Sequence, residues 1–194
     1  MGFSMKITSA KQDPNDGAGN DIGRLAPENI VLFGPPGVGK STIGRILASR
    51  LGRPFADVDE MIESSAGRSI QSIFKEEGEM AFRQREAEIC RSLSAQTNQI
   101  IATGGGALLA DQTRAALEAS GTVIFLTADQ AQLVERLRTA NHRPLLADAL
   151  EQELGSLLQR RQQAYQSFPL QLDTTNLKPD QAVERILTRI ASLP

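Results

Sequence analysis

The sequence has little of what disulfide scaffolds, metal clusters and aromatic binding surfaces are made of. Its 194 residues include one cysteine, Cys90, one histidine, His142, and one tyrosine, Tyr165, and tryptophan is absent. A single cysteine excludes an internal disulfide framework and any multi-cysteine metal site, and it fits a reducing compartment. A single histidine excludes a histidine-only metal cluster and argues against a Ser-His-Asp triad. Aromatic stacking cannot dominate ligand recognition.

The chain also lacks a charge excess and any long apolar run. Lys and Arg number 21 against 23 Asp and Glu, for a formal net charge of −2. Proteins that bind nucleic acid or membrane surfaces usually carry a basic excess, so we expect neither partner. No segment approaches the ~20 apolar residues of a membrane span, and no signal sequence opens the chain. We expect a cytoplasmic protein, monomeric by default because no long apolar stripe is evident.

The composition changes near residue 28. Residues 1–28 are rich in Asp, Asn, Gly and Pro and poor in apolar residues, which predicts a disordered N-terminal tail. In residues 29–194, short apolar runs alternate with amphipathic helical patterns. Strands are predicted at Asn29–Phe33, Pro54–Val58, Gln99–Thr103, Thr122–Leu126 and Leu170–Thr174. Strands separated by helices predict an α/β fold, a doubly wound five-stranded parallel sheet flanked by helices.

A complete phosphate-binding loop follows the first predicted strand. Residues 34–41 satisfy the pattern G-x-x-x-x-G-K-[ST]. Glycines let backbone N–H groups turn inward around phosphate oxygens, and the helix predicted over Ser41–Leu51 adds the positive end of its dipole. Lys40 is placed to reach the β- and γ-phosphates, and the Ser41 hydroxyl to bind Mg²⁺. The predicted loop residues are Gly34, Pro35, Pro36, Gly37, Val38, Gly39, Lys40, Ser41 and Thr42.

The phosphate loop does not by itself decide the reaction. The chain has no N-K-x-D motif, which selects guanine in GTPases, and no apolar strand that ends in the Asp/Glu pair of motor ATPases. Its short length and a helical insertion after the second strand, at about residues 59–95, favour a small-molecule or nucleoside-monophosphate kinase.

Several residues after the second and third strands fit an acceptor site, and each also has a structural explanation. Asp57 and Asp59 lie where the second strand ends and suit a metal and an acceptor hydroxyl, although Asp is also a common helix cap. Arg83 and Glu86 lie in a predicted helix, where an ion-paired solvated surface explains them equally well. Gly104–Gly106 form either a ligand-lining stretch or a tight turn.

Taken together, six segments resemble the shikimate kinase family in order and spacing. They are GPPGVGKST at 34–42, DVD at 57–59, FRQRE at 82–86, TGGGA at 103–107, RPLL at 143–146 and RRQQAY at 160–165. The resemblance covers about residues 29–193. It implies a P-loop fold similar to nucleoside-monophosphate kinases, with a helical substrate-binding insertion and a lid loop at about residues 139–150. The implied reaction is ATP-dependent phosphorylation of the 3-hydroxyl of shikimate, in aromatic amino acid biosynthesis.

The resemblance also implies catalytic and acceptor-binding roles. Lys40, Asp59 and Arg143 are the implied catalytic residues: Asp59 is a candidate base, and Arg143 is the lid arginine that closes on the transferred phosphoryl group. The implied substrate-binding residues are Asp59, Arg83, Gly104, Gly105, Gly106 and Arg161. Of these, the two arginines grip the substrate carboxylate, a task that suits the bidentate guanidinium.

Further roles complete the implied site. Glu86 orients the substrate-binding groups from behind them, and Ser41 and Asp57 hold Mg²⁺. Arg136, with Pro179, contacts the adenine, so the nucleotide-binding set extends to Arg136, Arg143 and Pro179. ATP and shikimate are thus the expected small-molecule partners, with Mg²⁺ as cofactor.

Two alternatives remain open. A related sugar-acid kinase, such as a gluconate kinase, shares the phosphate loop and an early Asp pair, but we do not expect it to match Arg83, Gly104–Gly106 and Arg161 together. A non-catalytic, kinase-like ligand sensor usually carries a fused DNA-binding helix-turn-helix, for which residues 1–28 have no room. Such a sensor also need not keep the catalytic residues, which are intact here.

Overall fold

Strands and helices alternate along the chain in the computed structural model, which describes residues 28–141 and 147–193. The strands are β1 (Asn29–Phe33), β2 (Phe55–Asp57), β3 (Ile100–Ala102), β4 (Gly121–Thr127) and β5 (Gln171–Asp173). The helices are α1 (Lys40–Leu51), α2 (Val58–Ala66), α3 (Ile70–Glu76), α4 (Gly78–Ser94), α5 (Asp111–Ser120), α6 (Gln130–Asn141), α7 (Ala147–Gln166) and α8 (Pro179–Ala191). Each strand overlaps the segment predicted for it.

The strands form one parallel sheet in the order β2-β3-β1-β4-β5. The α/β fold class expected from the sequence is confirmed. Because the strands are parallel, their carboxyl ends lie at one edge, where ligands bind in open α/β sheets. The phosphate loop after β1, the acidic residues after β2 and the glycines after β3 are thereby placed side by side.

Helices cover both faces of the sheet, which explains why β1 is apolar from Ile30 to Phe33. Ile30 and Leu32 belong to one buried cluster, and Val31 and Phe33 belong to the other, because successive side chains of a strand point to opposite faces. Cys90, on α4, lies fully buried in the second cluster, as a small apolar side chain would.

The insertion between β2 and β3 consists of α2, α3 and α4. α3 and α4 meet at Gly78, whose φ of 83° lies in the left-handed region that favours glycine. Beside this bend, the Glu77 carboxylate is paired with both Arg68 and Arg85. Gly78 thus separates α3 from α4, and Glu77 links Arg85 of α4 to Arg68, which precedes α3.

Some predictions fall outside the described residues. Residues 1–27, most of the predicted tail, lie there, and so do residues 142–146, which include Arg143 of the predicted lid. Within the described part of the chain, we find no helix with the length and apolar character needed to cross a membrane.

Candidate active site

The phosphate loop connects β1 to α1, and its glycines are required by close backbone contacts. At Gly34, a Cβ atom would lie 2.2 Å from the carbonyl oxygen of Leu126, so only glycine lets the loop lie against β4. Gly39, with φ of 99°, is the N-cap residue of α1. The loop therefore ends where the N–H groups of the first helical turn are free to bind an anion.

Lys40 is held inside this loop. Its ammonium group donates hydrogen bonds to the carbonyl oxygens of Gly34 at 2.9 Å and Pro35 at 3.0 Å. Burial lowers the pKa of Lys40 to about 8, although the nearby carboxylates of Asp59 and Asp57 favour its charged form. The Lys40 ammonium group is thus desolvated and bound to two backbone carbonyl oxygens. Phosphate oxygens of a nucleotide would take the place of these carbonyls as its hydrogen-bond acceptors.

Ser41 and Asp57 lie together at the end of the loop. The Ser41 hydroxyl donates a 2.6 Å hydrogen bond to Oδ2 of Asp57. The other carboxylate oxygen, Oδ1, accepts the backbone N–H groups of Asp59 at 3.1 Å and Glu60 at 3.4 Å and so caps α2. Asp57 is therefore a helix cap and also faces Ser41, so the two interpretations of this residue are compatible.

The oxygens of this pair fit Mg²⁺, which prefers hard oxygen ligands and usually takes only one or two carboxylates alongside phosphates and waters. Over residues 28–141 and 147–193, we find no group of three or more His, Cys, Asp or Glu side chains arranged to hold a metal ion. Ser41 and Asp57 therefore suit a metal ion whose remaining ligands would come from the phosphates of a nucleotide and from water.

A cavity of about 610 Å³ extends along the loop. It is lined by Asp57 and Asp59 and also by Arg136 and Pro179, which brings these predicted residues to one site. Its remaining lining residues are Pro36, Gly37, Val38, Gly39, Lys40, Ser41, Thr42, Ile43, Thr103, Leu137, Thr174 and Leu177. The volume and the lining residues suit a nucleotide with its phosphates on the loop.

Arg136 joins three parts of this cavity. Its Nη2 donates to the Thr174 carbonyl oxygen at 2.7 Å, and its Nη1 donates to Thr174 Oγ1 at 3.2 Å and to the Val38 carbonyl oxygen at 3.3 Å. The guanidinium thus fixes the segment after β5 against the phosphate loop. Thr174 was not singled out from the sequence, although its position at the end of a predicted strand was an available signal.

Asp59 lies in the first turn of α2 and lines the cavity together with Lys40. Desolvation and the neighbouring Asp57 carboxylate raise its pKa, and Lys40 opposes the shift. A carboxylate with a raised pKa is a better proton acceptor than an ordinary aspartate when it is ionised.

Gly104–Gly106 are in contact with every part of the predicted acceptor site. A Cβ at Gly104 would lie 2.4 Å from Glu86 Oε1 and 3.0 Å from Asp59 Oδ1, and one at Gly106 would lie 2.8 Å from both terminal nitrogens of Arg83. Between them, Gly105 lies against the phosphate loop, with its Cβ position 3.1 Å from the Gly34 carbonyl oxygen. The stretch, here named the glycine layer, is thus in contact with the phosphate loop through Gly105 and with the acceptor-site side chains through Gly104 and Gly106.

The two predicted carboxylate-binding arginines flank this layer. Arg83 Nη1 donates to Glu86 Oε2 at 2.5 Å, and its other nitrogens donate to Glu79 Oε1 at 3.2 and 3.3 Å. Arg161 Nη1 donates to the Gly105 carbonyl oxygen at 2.8 Å. Glu79 was missed from the sequence, although its position four residues before Arg83 on one helix was a usable signal.

Glu86 is almost fully buried, at 2% exposed. Burial raises its pKa, and the paired Arg83 opposes the shift. One oxygen binds Arg83, whereas the other, Oε1, has no hydrogen-bond partner among the described residues. The solvated-surface interpretation of Glu86 is wrong, because α4 turns this side chain towards Gly104 and away from solvent.

Comparisons with known proteins identify the family of the chain. The sequence model of the family described as "Shikimate kinase" matches residues 36–191. The chain belongs to the shikimate kinase family. The curated shikimate kinase of Geobacter sulfurreducens is 38% identical over 189 residues, which is 97% of this chain and 97% of that protein.

Solved structures extend the comparison. A shikimate kinase from Acinetobacter baumannii, in complex with shikimate, superposes with a TM-score of 0.79 at 36% identity and covers 87% of this chain and 95% of its own. A gluconokinase from Sinorhizobium meliloti is 19% identical with a TM-score of 0.58, covers 87% of this chain and 94% of its own, and shares the fold alone.

These findings confirm the family and the enzyme class expected from the sequence motifs. The protein is a P-loop kinase that phosphorylates shikimate, in aromatic amino acid biosynthesis.

Proposed function

We propose that the chain transfers the γ-phosphoryl group of ATP to the 3-hydroxyl of shikimate between the phosphate loop and the Gly104–Gly106 stretch. The observation that carries this proposal is the position of Gly105, which lies against Gly34 of the loop while its carbonyl oxygen binds Arg161. A donor phosphate on one side and an acceptor carboxylate on the other are then within one small molecule's length of each other.

Two separate groups of cations bring the anionic reactants together. Lys40 and the N-terminus of α1 bind the triphosphate, with Arg143, outside the described residues, as the proposed lid arginine. Arg83 and Arg161 bind the carboxylate of the acceptor, where bidentate pairing fixes orientation as well as charge. Placing the second pair away from the reacting hydroxyl leaves that hydroxyl free to point towards the donor.

Asp59 is the proposed base. As the 3-hydroxyl oxygen forms its bond to the γ-phosphorus, its proton passes to the Asp59 carboxylate, and the bond from the γ-phosphorus to the bridging oxygen breaks to release ADP. The position of Asp59 beside Lys40 supports this role, because Lys40 is the proposed ligand of the γ-phosphate. Glu86 holds Arg83 from behind, and Gly104 and Gly106 leave room for the acceptor ring.

Ser41 and Asp57 are the proposed ligands of Mg²⁺. When bound, the metal neutralises charge on the β- and γ-phosphates. Arg136 and Pro179, which line the same cavity, are the proposed contacts of the adenine.

We also propose that the protein works as a cytoplasmic monomer without nucleic-acid or membrane partners. The balanced charge of the chain supports this proposal. Light scattering of the purified protein would give one chain per particle, and a stable dimer would contradict the proposal.

An ADP-release assay with shikimate, gluconate and no acceptor tests the reaction. We expect turnover with shikimate alone, whereas turnover with gluconate alone would favour the sugar-acid kinase, and binding of shikimate without turnover would favour the sensor.

Arg83→Ala tests the acceptor site. Because Arg83 lies behind the glycine layer and not in the nucleotide cavity, we expect the KM for shikimate to rise at least tenfold, with the KM for ATP nearly unchanged. Arg91→Ala, which removes an exposed arginine from the same helix, is the matched control. An equal loss of ATP affinity in Arg83→Ala would contradict a dedicated acceptor site.

A further inference from the structure

Tyr165 lies at the meeting point of the aromatic core and the glycine layer. Its ring is 6% exposed. It packs edge-on against Phe33, with ring centres 5.6 Å apart, and at a tilt of 38° against Phe125, with centres 4.9 Å apart. Phe33 is the last residue of β1, and Phe125 lies on β4. The position of the tyrosine ring is therefore set by the central strands of the sheet.

The Tyr165 hydroxyl extends from this core to the glycine layer. It donates a 2.8 Å hydrogen bond to the Gly105 carbonyl oxygen, which also accepts the 2.8 Å bond from Arg161 Nη1. The same arginine nitrogen lies 3.4 Å from the tyrosine oxygen. One carbonyl is thus shared by a neutral donor that is fixed in the core and a charged donor on a long side chain.

Arg161 and Tyr165 respond differently when the acceptor substrate binds. In the proposed function, Arg161 turns towards the substrate carboxylate and gives up part of its bond to Gly105. The tyrosine hydroxyl remains, because its ring cannot move without disturbing Phe33 and Phe125. The Gly105 carbonyl then stays satisfied, and the backbone stays against Gly34 and Pro36 of the phosphate loop.

We propose that Tyr165 is a positioning residue for phosphoryl transfer: its hydroxyl satisfies the Gly105 carbonyl and so frees Arg161 to bind the acceptor. This inference rests on the proposed role of Arg161. Without the hydroxyl, the carbonyl and the acceptor carboxylate compete for one guanidinium, so the cost of losing the hydroxyl depends on the presence of Arg161.

Tyr165→Phe tests the inference, since phenylalanine keeps the ring contacts and removes only the hydroxyl. We expect kcat/KM for shikimate to fall about three- to tenfold, the size expected for one hydrogen bond, through a higher KM and a lower kcat. The KM for ATP and the affinity for ADP should stay within about twofold of wild type. Ser167→Ala removes a hydroxyl just beyond the same helix and should leave all constants unchanged.

A double-mutant cycle with Arg161→Ala separates this role from a purely structural one. If Tyr165 acts through Arg161, Tyr165→Phe costs less than about twofold in the Arg161→Ala background. Calorimetric titration of shikimate into the ADP complex of each variant gives a second readout that does not need turnover.

The outcomes are distinguishable. A lower melting temperature of Tyr165→Phe with unchanged kcat/KM would show a structural hydroxyl only and would overturn the inference. Equal losses in both backgrounds would overturn it as well, since Tyr165 would then act independently of Arg161. If Arg161→Ala itself left the KM for shikimate unchanged, the proposed carboxylate site would fail, and the inference would fail with it.

Discussion

Asp59 illustrates how opposing charges set the chemistry of a single residue. Desolvation and Asp57 raise its pKa, whereas Lys40 lowers it. In turn, Asp59 and Asp57 raise the pKa of Lys40 against its own desolvation. The base and the cation are therefore coupled, and a change at either residue shifts the titration of the other.

Asp59→Asn should lower kcat by ~10²-fold or more, because both the positioning of the hydroxyl and the proton transfer are lost. The measurement is the ADP-release assay at saturating shikimate and ATP. Glu60→Gln is the matched control: it neutralises the next carboxylate along α2, whose side chain is 61% exposed and pairs with Arg45. Near-wild-type activity of Asp59→Asn would show that another group takes the proton.

The pH dependence of kcat/KM should reflect the titration of both Asp59 and Lys40. Asp59 must be ionised to accept a proton, so kcat/KM should fall as the pH drops through its raised pKa, at a higher pH than for an ordinary aspartate. Lys40 must be charged to attract phosphate, so kcat/KM for ATP should fall as the pH rises through about 8.

Asp59→Asn should change this profile in two ways. The acidic limb should disappear, because the base is gone. The basic limb should move to lower pH, because Lys40 loses a charge that raises its pKa. Profiles of kcat/KM from about pH 5 to 10 check both points, and an acidic limb that persists in the residual activity of the variant would assign it to a different group.

At the scale of elements, the Gly104–Gly106 segment after β3 connects the parts of the site. It is short, yet it is in contact with α2 and α4 through Gly104 and Gly106 and with the phosphate loop through Gly105. The sequence left open whether these glycines line a ligand or form a tight turn. The structure shows that close packing against charged side chains already requires them.

Gly104→Ala should reduce kcat/KM by up to ~10²-fold, since a shift of about 1 Å in catalytic groups has effects of that size. The new methyl group would lie 2.4 Å from Glu86 Oε1 and 3.0 Å from Asp59 Oδ1, so these carboxylates must move. Steady-state kinetics with shikimate measure the effect.

Gly155→Ala is the control for that variant. Its methyl group would meet the Gln130 amide nitrogen at 2.9 Å, but this atom ends a flexible side chain away from the site. We expect full activity from this control. Unchanged kinetics in Gly104→Ala would mean that Asp59 and Glu86 do not depend on the space beside residue 104.

For the whole molecule, binding at two separate sites should stabilise the fold in two separate increments. A ligand that binds only the folded chain adds about 2.7 kcal/mol at 100 times its Kd. For a chain of this size, that is roughly 5 to 10 °C in melting temperature. ADP with Mg²⁺ and shikimate should each raise the melting temperature of the wild-type protein.

Arg83→Ala should keep the ADP increment and lose most of the shikimate increment at the same ligand concentrations, because Arg83 contacts only the acceptor side of the glycine layer. Thermal denaturation followed by circular dichroism measures both increments. Loss of both would indicate that the two sites are not independent.

Much of the fold was accessible from the sequence because its signals are local. The strand segments and the phosphate loop each depend on residues close together in the chain. Boundaries differed by a residue or two: β2 ends at Asp57 rather than at the predicted Val58, because Asp57 turns its carboxylate back to cap α2. The cap and the Ser41 contact share one side chain, which a pattern of residues does not reveal.

The sequence by itself determined the phosphate loop, the parallel sheet and, through the ordered motifs, the family. Only the tertiary structure decided that the Gly105 carbonyl oxygen accepts hydrogen bonds from both Arg161 and Tyr165, which lie 56 and 60 residues away in the sequence. It also decided that Arg136 joins Thr174 to the loop, and that Glu86 is buried with one carboxylate oxygen that finds no hydrogen-bond partner in the part of the chain that the structure describes. The physical reason is that these contacts depend on the sheet order, which places β3 between β1 and β2, and strand order arises from the packing of distant segments rather than from any local pattern.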